Sequence, residues 1–216
     1  MKDAPDFEID APLLLRAYAA GVFPMADSAE AEELFWVDPQ RRGILPLGGF
    51  HLSRSLRRTL LKGPQAVTVD RAFDDVVAAC ADREETWING PIRRLYADLH
   101  AMGQAHSVEV WVDGTLAGAI YGVTLGSAFF GESMVSRRSD GSKIALAWLV
   151  ARLKAGGFTL FDTQFTTAHL ERLGARSVPR SRYHALLREA VATRADFFAL
   201  PEASPPARIV EMLQGP

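Results

Sequence analysis

The most constraining feature of this chain is a run of three short strands followed by one long apolar helix. Residues 106–112 carry valine at every second position from 108 to 112, and Asp113-Gly114 then form a strong two-residue hairpin signal. Residues 116–125 and 127–131 continue this antiparallel meander. Residues 142–155 are apolar nearly all round, so this helix is predicted to be buried, and Gly156-Gly157 end it. The order predicts a mixed α+β domain.

Shorter elements surround this core. Further helices are predicted from Ala11-Pro12 to Gly21 and over 52–62, 71–81, 91–102, 168–173 and 181–192, with strands over 66–69 and 158–162. Strand 158–162 follows the buried helix, so we expect it to pair parallel with the last strand of the meander. A soft boundary divides a small N-terminal subdomain (1–43) from the main domain (44–216), whose tail from Pro201 is expected to be irregular.

Composition excludes several classes of protein. The 216 residues are 48% hydrophobic and 23% charged, which excludes intrinsic disorder. The single cysteine, Cys80, excludes an internal disulfide and a Cys-based zinc site, and we interpret it as a small buried apolar residue. A signal peptide and a membrane-length apolar run are both missing, which predicts a cytoplasmic protein. The net charge of −2 by itself predicts no affinity for nucleic acid.

Residues 52–62 predict an amphipathic helix with one wholly basic face. At about 100° per residue, the leucines at 52, 56 and 60 share one edge. A solvated surface is the ordinary interpretation of a charge run, but four cations without a local acid repel one another and suggest an anionic partner such as phosphate. The helix alone leaves both interpretations open. Its cations are Arg54, Arg57, Arg58 and Lys62.

Three polar side chains lie at predicted strand ends. Glu132 stands at the end of the third strand of the meander, and Asp162 and Gln164 stand at the end of the strand after the buried helix. If these strands are neighbours, the three side chains converge on one cleft and form a candidate catalytic group. Each acid taken alone is more simply a capping or ion-pairing residue.

Other side chains narrow the chemistry. Trp36 and Trp87 lie in predicted loops, where they either cover the core or offer stacking surfaces for a base. The five histidines show no metal-ligand spacing, so no metal is expected. A nucleophile elbow, a phosphate-binding loop and a dinucleotide fingerprint are all missing from the sequence, which argues against hydrolysis, ATP use and redox chemistry.

The order of elements is the pattern of the GCN5-related N-acetyltransferases, whose long helix begins at a Gly-rich turn that cradles coenzyme A. The corresponding stretch here, 135–143, holds one glycine where that turn has two or three. A helix N-terminus at this point can still hold an anion. Coenzyme A is nevertheless not the ligand that the loop suggests.

Several longer motifs follow one another between residues 13 and 187. They are YAAGVFP (18–24), HLSRSL (51–56), TWI (86–88), GQAHSVEVW (103–111), FGESM (130–134), DTQ (162–164) and LGA (173–175). In these motifs the chain resembles the leucyl/phenylalanyl-tRNA–protein transferases. The resemblance implies an acyltransferase fold and an enzyme that moves Leu, Phe or Met from aminoacyl-tRNA to a protein beginning with Arg or Lys, marking that protein for degradation. Because an aminoacyl ester is already activated, no ATP, metal or other cofactor is implied.

The resemblance also implies roles for particular residues. Gln164 would hydrogen-bond the attacking amine and Asp162 would polarise Gln164, while Glu132 would attract the acceptor's basic side chain or hold the amine. Trp36 and Trp87 would flank the terminal adenosine of tRNA. The basic helix would lie against acceptor-stem phosphates. The aminoacyl pocket, otherwise plain core, would be Ile120, Phe129, Leu146, Leu149 and Phe161.

The chain also departs from the family pattern. Only Trp36 precedes Asp38-Pro39, where the family often has two tryptophans, and Thr163 replaces a common cysteine. Longer members carry an extra N-terminal segment with a Gly-Gly motif. Two other functions stay open, a coenzyme A-dependent N-acetyltransferase and a non-catalytic RNA-binding module, and nothing in the sequence requires more than a monomer.

Overall fold

The computed structural model describes residues 9–31 and 33–215. The strands in these residues are β1 (Phe23–Met25), β2 (Phe35–Val37), β3 (Arg41–Ile44), β4 (Ala66–Val69), β5 (Ala105–Val112), β6 (Thr115–Leu125), β7 (Ala128–Ser136), β8 (Leu160–Gln164) and β9 (Arg176–Pro179). The α-helices are α1 (Ala11–Ala19), α2 (Arg54–Lys62), α3 (Phe73–Ala81), α4 (Gly90–Ala101), α5 (Gly141–Ala155), α6 (Ala168–Arg172), α7 (Arg180–Val191) and α8 (Pro206–Gln214).

One mixed sheet organises the molecule. Its strands follow the order β4-β5-β6-β7-β8-β3-β9, and only the β7–β8 pair is parallel. The sequence predicts this parallel pair, with the long helix α5 as its crossover, and the structure agrees. β1 and β2 form a separate antiparallel pair. The mixed α+β fold is therefore confirmed.

Helices cover both faces of the sheet. On one face α1, α3, α4 and α7 surround a core that includes Tyr18, Tyr96 and Phe130. On the other face α5 packs on the sheet and is itself covered by α2 and α8. α5 is apolar nearly all round because it contacts protein on both sides.

The structure of the C-terminal tail differs from the sequence prediction. The chain from Pro201, expected to be irregular, contains α8, with Ile209, Val210 and Leu213 buried against α5 and α2. Their spacing gives the helix one apolar side. Two of the prolines that suggested irregularity, Pro205 and Pro206, stand at the N-cap and first position of α8, where proline does not disturb a helix.

Five strands also differ from expectation. β1, β2 and β3 are not among the predicted strands. β7 continues to Ser136 rather than ending at Gly131, so Glu132 lies inside the strand. β9 has no predicted counterpart. The short strands escape prediction because their partners are distant in sequence.

β3 also crosses the predicted boundary at residues 43 and 44. It joins the main sheet between β8 and β9, so the end of the N-terminal segment lies in the same layer as the candidate site. The boundary itself stays a prediction. Within the described residues, none of the helices is long and apolar enough to cross a membrane.

Candidate active site

A bulge in β7 places Glu132. Tyr121 faces Ser133 across the β6–β7 ladder and Gly122 faces Gly131, so Glu132 is the extra residue between them. A bulge redirects a side chain that regular alternation would send elsewhere. The carboxylate of Glu132 consequently points into the α1/α4 side of the sheet.

Three donors hold the Glu132 carboxylate. The hydroxyl of Tyr18 donates to Oε1 at 2.8 Å, the hydroxyl of Tyr96 donates to Oε2 at 2.7 Å, and Nε2 of Gln164 donates to Oε2 at 2.9 Å. The two tyrosine hydroxyls are themselves 2.9 Å apart. The donors come from α1, α4 and β8, so the cluster ties three elements together.

All three donors to Glu132 are neutral. Burial raises the pKa of the Glu132 carboxyl to about 7, against the effect of its three hydrogen bonds, and the nearby Asp162 carboxylate adds to the rise. Burial also raises the pKa of Tyr18 and Tyr96, so both hydroxyls stay protonated and remain donors. The side chain of Glu132 thus changes charge near neutral pH.

Asp162 lies in the opposite electrostatic setting. Arg42 grips its carboxylate as a fork, with Nε 3.0 Å from Oδ1 and Nη2 2.7 Å from Oδ2. Burial lowers the pKa of the Arg42 guanidinium, but the Asp162 carboxylate outweighs this, so the net pKa lies above its ordinary value. Tyr183 donates a further hydrogen bond of 2.6 Å. Asp162 is fully buried and Arg42 is only 1% exposed, so the ion pair is shielded from solvent.

Gln164 connects the two carboxylates through different groups. Its backbone N–H donates to Oδ1 of Asp162 at 2.7 Å, while its side-chain amide contacts Glu132. Its φ of +60° lies in the left-handed region, which is unusual for glutamine. A register shift beside Gly43 leaves Thr163 unpaired in the β3–β8 ladder. A Cβ at position 43 would lie 2.6 Å from the backbone of Phe165, so this close approach requires glycine.

The three predicted catalytic residues meet at a split in the sheet. The β7–β8 ladder ends at Phe130 and Asp162, and beyond this rung β8 pairs only with β3. Glu132 and Gln164 stand on opposite sides of the split, each 7% exposed. Their hydrogen bond spans it, so the sequence prediction that the three side chains converge agrees with the geometry.

The predicted aminoacyl pocket lies on the other face of the sheet. All five of its side chains are at least 95% buried in the core around α5, and the rings of Phe129 and Phe161 meet edge to face at 5.4 Å. The pocket is therefore closed. The residues concerned are Ile120, Phe129, Leu146, Leu149 and Phe161.

The two predicted stacking tryptophans occupy different surroundings. Trp87 is half-buried and lines a cavity of about 540 Å³ with Met25, whereas Trp36 does not line that cavity. Trp36 lies in β2 rather than in a loop, opposite Pro24, and is 40% exposed. Besides Arg83, the cavity is lined by four acidic side chains, which disfavour phosphate: Asp27, Glu30, Glu84 and Glu85.

The basic helix forms as predicted. α2 begins after Ser53, whose hydroxyl accepts from the N–H of Leu56 at 3.1 Å, and it buries Leu56 and Leu60. Its other face is wholly exposed and presents the four predicted cations, Arg54, Arg57, Arg58 and Lys62.

Sequence reasoning missed the residues that hold the site. Arg42 sits beside exposed Arg41 in β3, and nothing in the pattern distinguishes the buried arginine from its neighbour. Tyr18 and Tyr96 lie in predicted helices among apolar neighbours, so their spacing does not distinguish them from ordinary core residues. For Tyr18 the sequence does hold one signal, its place in the YAAGVFP motif on the apolar side of a predicted helix. A buried tyrosine hydroxyl usually has a hydrogen-bond partner.

Gln164 lies at the split in the sheet, with its side-chain amide on Glu132 and its backbone N–H on Asp162. An amide fixed in this way can orient a nucleophile for attack on an acyl group. Such a site and the α+β fold suit an acyl-transferring enzyme. Family models described as leucyl/phenylalanyl-tRNA protein transferase and as its N-terminal domain match residues 44–188 and 7–40. The chain belongs to the leucyl/phenylalanyl-tRNA protein transferase family.

Individual relatives cover almost the whole chain. A leucyl/phenylalanyl-tRNA–protein transferase of Jannaschia sp. (strain CCS1) is 60% identical over 193 residues, which are 89% of this chain and 91% of that protein. One of Cereibacter sphaeroides (strain ATCC 17025) is 60% identical over 200 residues, or 92% and 93% of the two chains. The crystal structure of FemX superposes with a TM-score of 0.50 at 12% identity, covering 80% of this chain and 68% of that one. That likeness shows the fold alone.

Proposed function

We propose that this protein transfers Leu, Phe or Met from aminoacyl-tRNA to the α-amine of proteins whose N-terminus is Arg or Lys. The observation that carries the proposal is the placement of Gln164 at the split between β7 and β8 in a member of this transferase family: Glu132 holds its side-chain amide and Asp162 holds its backbone N–H. The product is a new peptide bond. The modified N-terminus would mark the acceptor for degradation.

The reaction needs little from the enzyme besides orientation. The lone pair of the acceptor amine forms the C–N bond, the ester C–O bond breaks, and its electron pair goes to the ribose oxygen of tRNA. The proton lost by the amine ends on that oxygen. An α-amine of pKa about 7.7–8.0 is partly neutral at pH 7, so the site must mainly hold it in line and stabilise the developing charge.

Gln164 and Asp162 divide this task. The amide of Gln164 is the group placed to hydrogen-bond the attacking amine. Asp162, gripped by Arg42, accepts from the backbone of Gln164 and not from its side chain. We therefore propose that Asp162 fixes the left-handed turn that presents Gln164, and that Glu132 holds the side-chain amide of Gln164 in place.

The donor would enter through the split in the sheet. The five predicted pocket residues pack against one another, so we propose that an aminoacyl side chain enters as they move apart. Shape alone distinguishes apolar side chains by about 1–3 kcal/mol per methylene, which is consistent with several accepted donors. Trp36 and Trp87 remain the proposed contacts of the terminal adenosine.

The tRNA body would contact α2. Its four exposed cations form a strip without acids, which suits phosphates and reads no base sequence. We further propose that the core is a GCN5-related N-acetyltransferase-like fold in which tRNA replaces coenzyme A, and that the protein acts as a cytoplasmic monomer without a cofactor. Aminoacyl-tRNA is a cytoplasmic substrate, which supports this location.

A transfer assay with three substrates tests the proposal. The protein is incubated with labelled Leu-tRNA, with labelled acetyl-coenzyme A, and with a peptide that begins with Arg; the same peptide acetylated at its N-terminus is the control. We expect label on the free peptide from Leu-tRNA alone. Transfer from acetyl-coenzyme A would favour an N-acetyltransferase, and tRNA binding without transfer would favour an RNA-binding module.

A further inference from the structure

The amide of Gln164 has a fixed direction. Its Nε2 donates to Glu132, which leaves Oε1 as the atom turned away from the carboxylate. No donor from the described residues reaches Oε1 within hydrogen-bond distance. A free carbonyl oxygen beside the split is the acceptor that an incoming amine N–H requires.

Among the described residues, Glu132 is the group that imposes this direction. An ionised carboxylate accepts hydrogen bonds and cannot donate, so the amide must present its NH₂ group to it. Asp162 cannot do the same, because Arg42, Tyr183 and the Gln164 backbone occupy its oxygens. A protonated Glu132 could either accept from Nε2 of Gln164 or donate to its Oε1, so it would no longer fix one orientation of the amide.

We propose that Glu132 is a positioning residue, which aims the carbonyl oxygen of Gln164 at the acceptor amine, and that Tyr18 and Tyr96 hold Glu132 in its ionised form. This inference rests on the proposed function. It assigns to Glu132 the action on the Gln164 side chain that the resemblance assigns to Asp162, and it gives two buried tyrosines a purpose.

The surroundings of Glu132 set the pH at which this arrangement works. Burial raises its pKa to about 7, so protonation releases the amide just below neutrality. The two tyrosine hydroxyls favour the ionised form, since they donate to it. The titratable and charged groups that face Glu132 from the elements around it are Tyr18, Tyr96, Tyr121, Asp162 and Arg42.

Tyr121 provides a matched control. It is buried like Tyr18 and Tyr96, and its ring packs edge to face on Tyr96 at 5.4 Å. Its hydroxyl has no hydrogen-bond partner among the described residues. Tyr121→Phe therefore removes a hydroxyl from the same core without removing a donor from Glu132.

The experiment compares pH profiles of kcat at saturating Leu-tRNA and Arg-peptide for the wild type, Tyr18→Phe, Tyr96→Phe and Tyr121→Phe. Each hydrogen bond to a charged group is worth about 1.5–3 kcal/mol, so loss of one moves the acid limb up by about one to two pH units. Tyr121→Phe leaves the limb in place. The acceptor amine titrates identically in all four proteins, so differences report Glu132.

Glu132→Gln completes the test. We expect kcat to fall about 100-fold, as for a misplaced catalytic group, with the acid limb of Glu132 lost and the KM for the peptide little changed. An unchanged kcat with a higher KM for Arg-peptides would instead make Glu132 a recognition residue and overturn the inference. So would equal shifts in Tyr18→Phe and Tyr121→Phe. Failure of the wild type to transfer Leu would count against the proposed function, whereas unaltered profiles in active variants count against Glu132 alone.

Discussion

At the scale of single residues, the site uses two buried carboxylates that differ in what balances their charge. Asp162 has a guanidinium at 2.7 Å, while Glu132 has only hydroxyl and amide donors. A buried ion pair is stable only while both partners are present. A buried carboxylate with neutral donors can bind a proton near neutral pH, because burial raises its pKa and no counter-charge opposes the rise.

Asp162→Asn should destabilise the fold strongly. It leaves the guanidinium of Arg42 buried without a counter-charge, which costs about 3–5 kcal/mol. Asp113→Asn is the control, because the Asp113–Arg138 pair is 76% and 47% exposed and such surface pairs are worth about 0–1 kcal/mol. Urea unfolding measures both. Equal losses in the two variants would contradict the structural role given to the Arg42–Asp162 pair.

Glu132→Gln should stabilise the fold at alkaline pH. A carboxyl whose folded pKa is raised from 4.5 to about 7 opposes folding above the unfolded pKa, and this cost grows until pH 7 and then stays constant. The shift corresponds to about 3 kcal/mol, so the variant gains up to this amount at pH 8 and little at pH 4. Thermal unfolding at both pH values checks this, with exposed Glu211→Gln as the control. A gain of equal size at both values would contradict the raised pKa.

At the scale of elements, two bulges matter more than any helix. One places Glu132 as the extra residue of β7, and the other leaves Thr163 unpaired just before Gln164. Regular alternation would give these side chains other directions. The helices act by supplying partners, Tyr18 from α1 and Tyr96 from α4.

The basic face of α2 makes a separate prediction about RNA binding. Replacing Arg54 and Arg58 together with Ala should weaken tRNA binding and lower the slope of log K against log salt by about 1.5, because about 0.7–0.9 is lost per phosphate contact. Arg93→Ala with Arg94→Ala is the control, since both arginines are exposed on α4, across the sheet from α2. Filter binding at several salt concentrations measures the slopes. Unchanged slopes would remove α2 from the RNA interface.

At the scale of the whole molecule, the N-terminal and C-terminal segments both pack on the sheet and helices formed by the central part of the chain. The N-terminal segment contributes Tyr18 and Arg42 to the site, and β3 extends the sheet beside β8. At the other end α8 covers α2 and α5. The near-zero net charge, which predicted no affinity for nucleic acid, averages over a surface whose α2 face is wholly basic.

The packing of α8 can be tested directly. Ile209 is fully buried against the α5 face of the core, so Ile209→Ala should lower the free energy of unfolding by about 2–5 kcal/mol. Arg208→Ala, exposed on the same helix, should change it little. Urea denaturation of both variants measures the difference. If Ile209→Ala unfolds like the wild type, α8 does not stabilise the core.

Sequence patterns were enough for the elements whose signals are local. The Asp113-Gly114 turn, the strand alternation around it and the apolar circumference of α5 predict the meander, the crossover and the parallel β7–β8 pair. The amphipathic α2 follows from periodicity in the same way. The prediction of an irregular tail was wrong. It rested on the prolines, whereas the apolar spacing of residues 209, 210 and 213 indicates a helix.

The sequence by itself determined the α+β core, the basic helix and the candidate polar residues Glu132, Asp162 and Gln164, because each depends on neighbours within a few residues along the chain. Only the tertiary structure decided which groups those residues meet. Tyr18 and Tyr96 are 78 residues apart and Arg42 and Asp162 are 120 apart, and no local pattern encodes such contacts. The two bulges are likewise fixed by strand pairing. They bring the carboxylates of Glu132 and Asp162 together with the amide of Gln164.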